Sequence, residues 1–400
     1  MKFLRDLLDK QKPLFQKGGK FENFYYLYEA GETFMFSPKH TTGIKGAQVK
    51  DAIDLKRLMI TVVIAMLPCL LFGIYNVGHQ HFLAVGEAAT FGDKFLLGLQ
   101  LVLPIVIVAY ASGGIVEAVF AVIRKHPINE GFLVTGMLIP LIVPPTIPLW
   151  QVALATVFAV VIAKEVFGGT GMNVLNVAMT ARAFLYFAYP AQISGDQVWT
   201  YLGDKTPVDG FSGATALGVA YQASVDGEIV TTALSSHNTS IGDNLYSFAN
   251  MFWGFIPGSI GETSMLMVLI GAAILILTGV GSWKIMAAAF GGTYVMGLVM
   301  NLLATNEYMA LPAHYHLILG GVAFGIVYMA TDPVTASQTE TGKWIYGFLI
   351  GVLTVIIRVT NPAYPEGIML AVLFMNVFAP LIDFYVVQAN KKRRLQRATV

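Results

Sequence analysis

The chain has 400 residues, of which 56% are hydrophobic and only 12% are charged, and its formal net charge is +1. A soluble domain carries about 25% charged residues, so this composition excludes an ordinary soluble protein. Hydrophobic runs of about 20 residues recur along the chain. They are continuous rather than alternating, which predicts an all-α polytopic membrane protein and excludes a β-barrel.

About ten membrane-spanning helices are predicted, and the third is short enough to be a half-helix or a re-entrant segment. The approximate spans are residues 58–77, 95–123, 131–143, 149–167, 173–188, 264–280, 283–303, 316–330, 344–359 and 367–387. The polar stretch before them contains "FENFYYLYEA", which predicts a short amphipathic helix. The long interval between the fifth and sixth spans is mostly polar.

Basic residues orient these spans, because cytoplasmic loops carry an excess of Lys and Arg. If every span crosses, the basic clusters fall on one side, and residues 189–263, with Lys205 as their one Lys or Arg, face outward. Two arginines, Arg182 and Arg358, do not fit this pattern. The predicted domains are a cytoplasmic segment 1–57, a first helical half 58–188, an outer loop 189–263, a second half 264–387 and a basic cytoplasmic tail 388–400.

Five spans in each half, in opposite orientations, are compatible with two inverted five-helix repeats. Glycine- or proline-containing breaks occur in both halves, at "FGGTGMN" and at "ATDPVTAS". Ten unrelated helices remain the alternative.

The outer loop contains "DGFSGAT", residues 209–215, in which Gly213 and Ala214 precede the hydroxyl of Thr215. Small residues allow close backbone approach by an enzyme that modifies the threonine. The alternative interpretation is a turn that caps a short helix beginning at Ala216.

Several motifs together carry a resemblance to a known family. "DGFSGAT" resembles the acceptor motif, Asp209, Ser212, Gly213, Ala214 and Thr215, on which a flavin transferase places FMN as a phosphoester of the threonine. With "VIRKHPINEGF", "AKEVFGGTGMNVLN", "FAYPAQISGD", "PGSIGE", "MATDPVTAS" and "RVTNPAYPEGIMLA", it is similar to the B-subunit family of sodium-translocating NADH:quinone oxidoreductases. The likeness extends over nearly the whole chain. It includes the N-terminal "KGGKFENFYYLYEA", which the related Rnf-type subunit lacks. The stretch 221–244 has no clear counterpart in the family pattern and is predicted to be a variable outer loop.

The resemblance implies a urea-transporter-like fold in the bacterial inner membrane, with both termini cytoplasmic and the flavin loop periplasmic. It implies covalent FMN on Thr215, non-covalent riboflavin, quinone as substrate, and coupling of electron transfer to Na⁺ export. The implied partners are the A, C, D, E and F subunits of a six-subunit complex, the flavin transferase, quinone, Na⁺ and the lipid bilayer. No pattern points to nucleic acid or to a metal other than Na⁺.

The glycine-rich break is interpreted as part of the riboflavin site, through Gly169, Gly171, Asn173 and Asn176. Backbone N–H groups at the start of the fifth span are expected to be free, and helix N-termini favour electron-rich ligands. The two asparagines are expected to share one face of the following helix and to bind the flavin edge. The alternative is helix packing by the glycines and interhelical hydrogen bonds by the asparagines.

Three intramembrane or interfacial acids, Glu117, Asp332 and Asp383, match family positions associated with sodium uptake. A carboxylate at the bilayer centre costs about 2.5–3.5 kcal/mol, so such residues require a reason. The alternative for each is a structural partner for a nearby cation or helix end.

A quinone site is predicted where Gly113 and Gly114 leave a notch in the second span. The other predicted members of this site lie on the same cytoplasmic side, and they are Glu130, Phe132, Phe24, Tyr28 and Glu29. A stripe of small residues at a helix–helix contact is the alternative. For the whole chain, two further functions stay open: an Rnf-type paralogous subunit, and a solute channel without a redox role.

Overall fold

The computed structural model describes residues 2–36, 46, 55–126, 128, 131–238, 245–361 and 366–398. The described residues form an all-helical protein without strands. The helices are α1 Lys2–Phe15, α2 Tyr25–Met35, α3 Leu55–Val85, α4 Phe91–Arg124, α5 Gly131–Leu141, α6 Leu149–Ala159, α7 Val177–Ala188, α8 Pro190–Ile193, α9 Ala216–Asp226, α10 Val230–Ser236, α11 Phe248–Trp253, α12 Met265–Leu277, α13 Trp283–Leu302, α14 Tyr315–Ile318, α15 Val322–Phe324, α16 Glu340–Thr360 and α17 Ile368–Ala398.

Five helices within the described part of the chain are long and apolar enough to cross a membrane: α3, α4, α13, α16 and most of α17. Each of the other five predicted spans also contains helix, but in shorter pieces. The third is the 11-residue α5, and the fifth and sixth are α7 and α12, with 12 and 13 residues. The short third segment agrees with the prediction, whereas the fifth and sixth are shorter helices than the predicted spans.

Two of the predicted spans change their helical geometry near one end. The fourth starts as α6 and continues as a π-helical turn, Val160–Glu165. The eighth is divided into α14, α15 and a π-helical turn, Gly325–Met329. The widened turns precede the two breaks that the sequence indicated, "FGGTGMN" and "ATDPVTAS". π-Helical turns inside helices are frequent at functional sites.

Side-chain hydroxyls and amides define where several helices begin. Thr90 and Asp93 form a reciprocal capping box at the start of α4. Ser264 accepts a hydrogen bond from Met267 N at the start of α12, and Thr339 accepts one from Gly342 N at the start of α16. These contacts satisfy backbone donors that have no partner within the first helical turn.

The two halves pack with a recurring pattern. In the first half α3 packs on α5, α4 on α6, α6 on α7, and α5 on α7. In the second half α12 packs on α15, α13 on α16, α16 on α17, and the second π-helical turn on α17. Contacts of α3 with α12 and of α7 with α17 join the halves, and one large hydrophobic core runs through both of them.

A second, smaller core lies outside this helical body. It combines α9 and α10 with residues 245–256 and 308–319, including Leu217, Ala220, Tyr246, Met251 and Tyr308. The segment predicted as one outer loop is thus partly helical. It is completed by the connection between α13 and α14, which the sequence assigned to the second half.

The N-terminal segment is more helical than predicted. The "FENFYYLYEA" stretch forms a 3₁₀ turn, Glu22–Phe24, followed by α2, and α1 precedes it. Tyr28 donates a hydrogen bond to Leu8 O at 2.7 Å and stacks on Phe15 at 5.0 Å. Because α2 also packs against α4, the aromatic N-terminal segment lies next to the second span.

Candidate functional site

The threonine of the "DGFSGAT" motif is the N-cap of α9. Thr215 has extended backbone angles, and its Oγ1 accepts a hydrogen bond from Gly218 N at 3.2 Å. The helix therefore begins at Ala216, as the alternative interpretation of the motif predicted. This position leaves the hydroxyl half-buried, and it places Oγ1 next to the backbone N–H groups of the first helical turn.

Two residues that follow the motif hold its backbone. The Asn238 side chain accepts from Ser212 N at 2.9 Å and donates to Ser212 O at 2.6 Å. The hydroxyl of Tyr246 donates to Ala214 O. Burial raises the pKa of Tyr246, so its hydroxyl stays protonated as a donor. Sequence reasoning missed this pair, because both residues lie after the motif and Asn238 falls in the stretch predicted to vary.

The motif also packs tightly against a neighbouring segment. Gly213 and Ala214 are buried, and a Cβ added to Gly213 would overlap the carbonyl oxygen of Asp196. Glycine at this position therefore serves close backbone approach within the folded protein.

A cavity of about 640 Å³ opens beside Thr215. Its volume lies within the range of about 300–1,000 Å³ that is usual for ligand sites. Aromatic and polar side chains line it, among them Tyr186, Trp199, Tyr221 and His237. Burial lowers the pKa of His237, which favours the neutral imidazole there. Thr215 itself is one of the residues that line this space.

A buried ion cluster forms another part of the cavity wall. Arg182 Nη1 donates to both carboxylate oxygens of Glu262, at 2.7 and 2.9 Å, and Arg182 Nη2 lies 2.5 Å from Glu366 Oε2. These side chains are only 5%, 5% and 16% exposed. The second arginine that did not fit the charge pattern, Arg358, is also buried and donates to the carbonyls of His316 and Leu319. Both arginines thus bind internal partners.

The glycine-rich break has a different geometry from the predicted one. Gly168, Gly169 and Gly171 have φ values of +122°, +95° and +90°, which only glycine adopts readily. The helix α7 begins at Val177, so Asn173 and Asn176 do not lie on it. The two asparagines instead belong to the connection that leads into the helix.

The expectation of free N–H groups at this helix start was also wrong at Met179. Asn176 is the N-cap of α7, and its Oδ1 accepts from Met179 N at 3.1 Å. An asparagine before a helix often accepts a hydrogen bond from a first-turn N–H group, because its side chain is short and polar. That N–H group is then not available to a ligand.

The two chain breaks meet at an inner cavity. Asn173 and Asn176 from the first break line it together with Thr331 and Asp332 from the second, and Asn176 Nδ2 lies 3.4 Å from Asp332 Oδ2. Its volume is about 90 Å³, below the usual range for ligand sites. The polar groups suit the edge of a flavin, and the remaining walls are largely apolar. A three-ring ligand requires the lining side chains to move.

The three predicted sodium-pathway acids occupy separate environments. Glu117 on α4 forms a buried ion pair with Lys164, at the end of the first π-helical turn. Asp332 accepts from Val334 N at 3.0 Å and from Thr335 Oγ1 at 3.1 Å.

Asp383 on α17 accepts four hydrogen bonds from the segment that leads into α16. The donors are Ser337 Oγ at 2.6 Å, Gln338 N at 2.7 Å, Thr339 N at 3.0 Å and Thr339 Oγ1 at 2.6 Å. Each acid therefore has a structural partner. Within the described residues, no group of three or more His, Cys, Asp or Glu could hold a metal ion.

The predicted quinone notch is filled by a side chain. A Cβ added to Gly113 would overlap the ring of Phe132, whereas one added to Gly114 would meet no described atom within 4 Å. Phe24 is exposed on the neighbouring N-terminal segment, Tyr28 is buried and Glu29 is half-buried. Glu130, the remaining predicted member, lies outside the described residues.

Comparison with known proteins gives consistent matches over the whole chain. The profile of the NQR2, RnfD, RnfE family matches residues 44–392. A protein of Chromohalobacter salexigens, named as the B subunit of a Na(+)-translocating NADH-quinone reductase, is 50% identical, over 98% of this chain and 96% of its own. Proteins of the same name from Pseudomonas aeruginosa and Azotobacter vinelandii are each 48% identical, over 98% of this chain and 99% of theirs.

Proposed function

Because the chain belongs to the NQR2, RnfD, RnfE family, we propose that it is the B subunit of a Na⁺-translocating NADH:quinone reductase in the bacterial inner membrane. Full-length relatives carry that name. They align over 98% of this chain, and 2% of 400 residues leaves about eight unaligned. The alignment therefore includes most of the 43 residues before the family profile begins, which favours this assignment over an Rnf-type paralogue.

The position of Thr215 is the observation that carries the flavin part of the proposal. Its Oγ1 caps α9, and the residue lines a cavity of suitable volume. A phosphoester at this oxygen places its negative charge at the helix N-terminus, where free N–H groups and the helix dipole stabilise anions. We therefore assign covalent FMN to Thr215. A passive channel has no need of a flavin acceptor at this position.

We propose the riboflavin and quinone sites from the sequence motifs, supported by where the structure brings their residues together. Riboflavin is assigned to the inner cavity, which has to widen from about 90 Å³ by movement of the lining side chains to hold three rings. Asn173 and Asn176 offer amides there, and Gly169 and Gly171 shape the connection. Quinone is assigned to the region of Gly113 and Gly114 on α4, a helix that α2 also contacts. When bound, the flavins supply electron transfer to quinone. The electrons come from the partner subunits of the complex, A, C, D, E and F.

Sodium transport is assigned to the pathway marked by Glu117, Asp332 and Asp383. Their oxygens are suitable ligands for Na⁺, and Asp332 lies in a non-helical break next to the inner cavity. Moving one charge against 100 mV costs about 2.3 kcal/mol, so an electron that falls through a few hundred millivolts releases enough energy for transport.

The architecture proposed for this function is two inverted five-helix repeats, with ten membrane segments and both termini in the cytoplasm. The recurring packing pattern of the two halves supports the repeat. Short or broken segments at corresponding positions of the two halves are typical of such folds, and the third segment is short in the first half, as α5, and broken in the second half, as α14 and α15. In this orientation the flavin loop is periplasmic.

The proposal is tested on protein matured in cells that contain a flavin transferase. Mass analysis of the tryptic fragment with Thr215 should show the added mass of an FMN ester, and the denatured band should fluoresce under ultraviolet light. A Thr215→Val variant should lose both signals. A Thr215→Ser variant, which keeps a hydroxyl and the helix cap, is the matched control for folding. Wild-type fragment of unmodified mass would refute the assignment.

A further inference from the structure

In the folded protein, the acceptor loop, residues 209–215, offers a modifying enzyme little accessible backbone next to Thr215. A transferase that reads "DGFSGAT" needs access to its backbone, because Gly213 and Ala214 have almost no side chain. In the structure both of these residues are buried, and Gly213 packs against the carbonyl of Asp196. The threonine itself is only half-exposed.

The backbone polar groups next to the threonine are also already bound. Asn238 engages both the N–H and the carbonyl of Ser212. Ala214 N donates to Ser212 Oγ at 3.3 Å, and Ala214 O accepts from Tyr246. An extended substrate loop bound by main-chain hydrogen bonds needs these same groups free. Enzyme binding and the observed loop contacts therefore compete.

The side chains of Asn238 and Tyr246 are themselves buried. Asn238 is 7% exposed and has φ of +54°, a conformation that asparagine tolerates better than most residues. Tyr246 is 1% exposed and belongs to the second, smaller core, and its ring lies 5.4 Å from the ring of His237. We call this pair of side chains the loop clamp.

We propose that the loop clamp of Asn238 and Tyr246 must be open for flavin attachment, so that Thr215 is modified before the clamp closes over the motif. This inference rests on the proposed flavin site at Thr215 and adds the order of events. Once closed, the clamp fixes the modified loop beside the 640 Å³ cavity, so Asn238 and Tyr246 act as positioning residues.

Flavin attachment requires the hydroxyl of Thr215 to reach an activated phosphate in the active site of the transferase. A hydroxyl forms a phosphoester only with an activated phosphate, and a flavin dinucleotide supplies one in its phosphoanhydride bond. The Thr215 Oγ1–phosphorus bond forms, the phosphoanhydride bond breaks, the nucleoside monophosphate leaves and the hydroxyl proton passes to a base on the transferase. Oγ1 is the nucleophile, and the hydrogen bond that it accepts from Gly218 N at 3.2 Å occupies one of its lone pairs and lowers its reactivity in the folded loop.

The test uses full-length protein produced without a flavin transferase and reconstituted in nanodiscs. Purified transferase, FAD and Mg²⁺ are then added, and ultraviolet fluorescence of the band is followed with time. Two variants open the clamp with small changes. Asn238→Gly removes the amide but tolerates the positive φ, and Tyr246→Phe removes one hydroxyl. Ser235→Ala, on the exposed face of α10 and outside the cavity lining, is the matched control.

The folded wild-type protein should be modified slowly, and urea-unfolded wild type should be modified faster. Each hydrogen bond removed should raise the rate for the folded protein by about 2- to 10-fold, given its usual net contribution. Asn238→Gly, which loses two hydrogen bonds, should be modified faster than Tyr246→Phe, and Ser235→Ala should match wild type.

Two outcomes would overturn the inference alone. Folded and unfolded wild type could incorporate flavin at equal rates, or both clamp variants could show the wild-type rate, and the closed loop would then be the substrate. Absence of fluorescence in every arm, including the unfolded chain and protein matured in cells, would instead remove the flavin site itself.

Discussion

The buried cluster around Arg182 predicts a large loss of stability when its cation is removed. In Arg182→Gln, Glu262 and Glu366 lose a guanidinium that lies 2.5–2.9 Å from their oxygens. All three side chains are at most 16% exposed, so water cannot replace the lost charge effectively. Breaking one partner of a buried ion pair costs about 3–5 kcal/mol. We expect a loss in that range.

The exposed pair Lys205–Glu87 is the matched control. Its side chains are 46% and 47% exposed, and exposed pairs contribute at most about 1 kcal/mol. Unfolding of both variants is titrated with SDS in mixed micelles, and their free energies of unfolding are compared with wild type. Adding Glu262→Gln to Arg182→Gln should restore part of the loss, because one buried charge is then removed. An Arg182→Gln variant as stable as Lys205→Gln would refute the reasoning.

The remaining predictions concern the inner sites. Gly113→Val should raise the KM for quinone and cost about 1–3 kcal/mol of stability, because the new side chain overlaps Phe132; unchanged quinone kinetics and inhibitor sensitivity would leave the glycine a packing role only. Replacing both Asn173 and Asn176 with Leu should lower the riboflavin content measured by extraction and chromatography, and full occupancy would contradict the assignment. Asp383→Ala should reduce the sodium stimulation of turnover and loosen the start of α16, where its carboxylate accepts four hydrogen bonds; unchanged turnover and unchanged stimulation would remove it from the sodium pathway.

Local patterns in the sequence were enough to predict the all-helical fold, the start of α9 and the family. Continuous apolar runs require helices because no water satisfies backbone groups in the bilayer. The start of α9 at Ala216 follows from a threonine placed where a cap is needed. The family followed from motifs spread along the chain, and the matching relatives confirm it.

Only the tertiary structure decided which distant residues meet. The two chain breaks lie 156 residues apart at Asn176 and Asp332, yet they line one cavity. Arg182 did not fit the charge pattern, and its position within a predicted span is accounted for by its ion pair with Glu262, 80 residues away. The loop clamp could not be predicted because hydrogen bonds between side chain and backbone depend on how the chain returns to the motif. Local sequence encodes helices and caps through short-range sterics and hydrogen bonds, whereas pairing across the fold is set by packing of the whole chain.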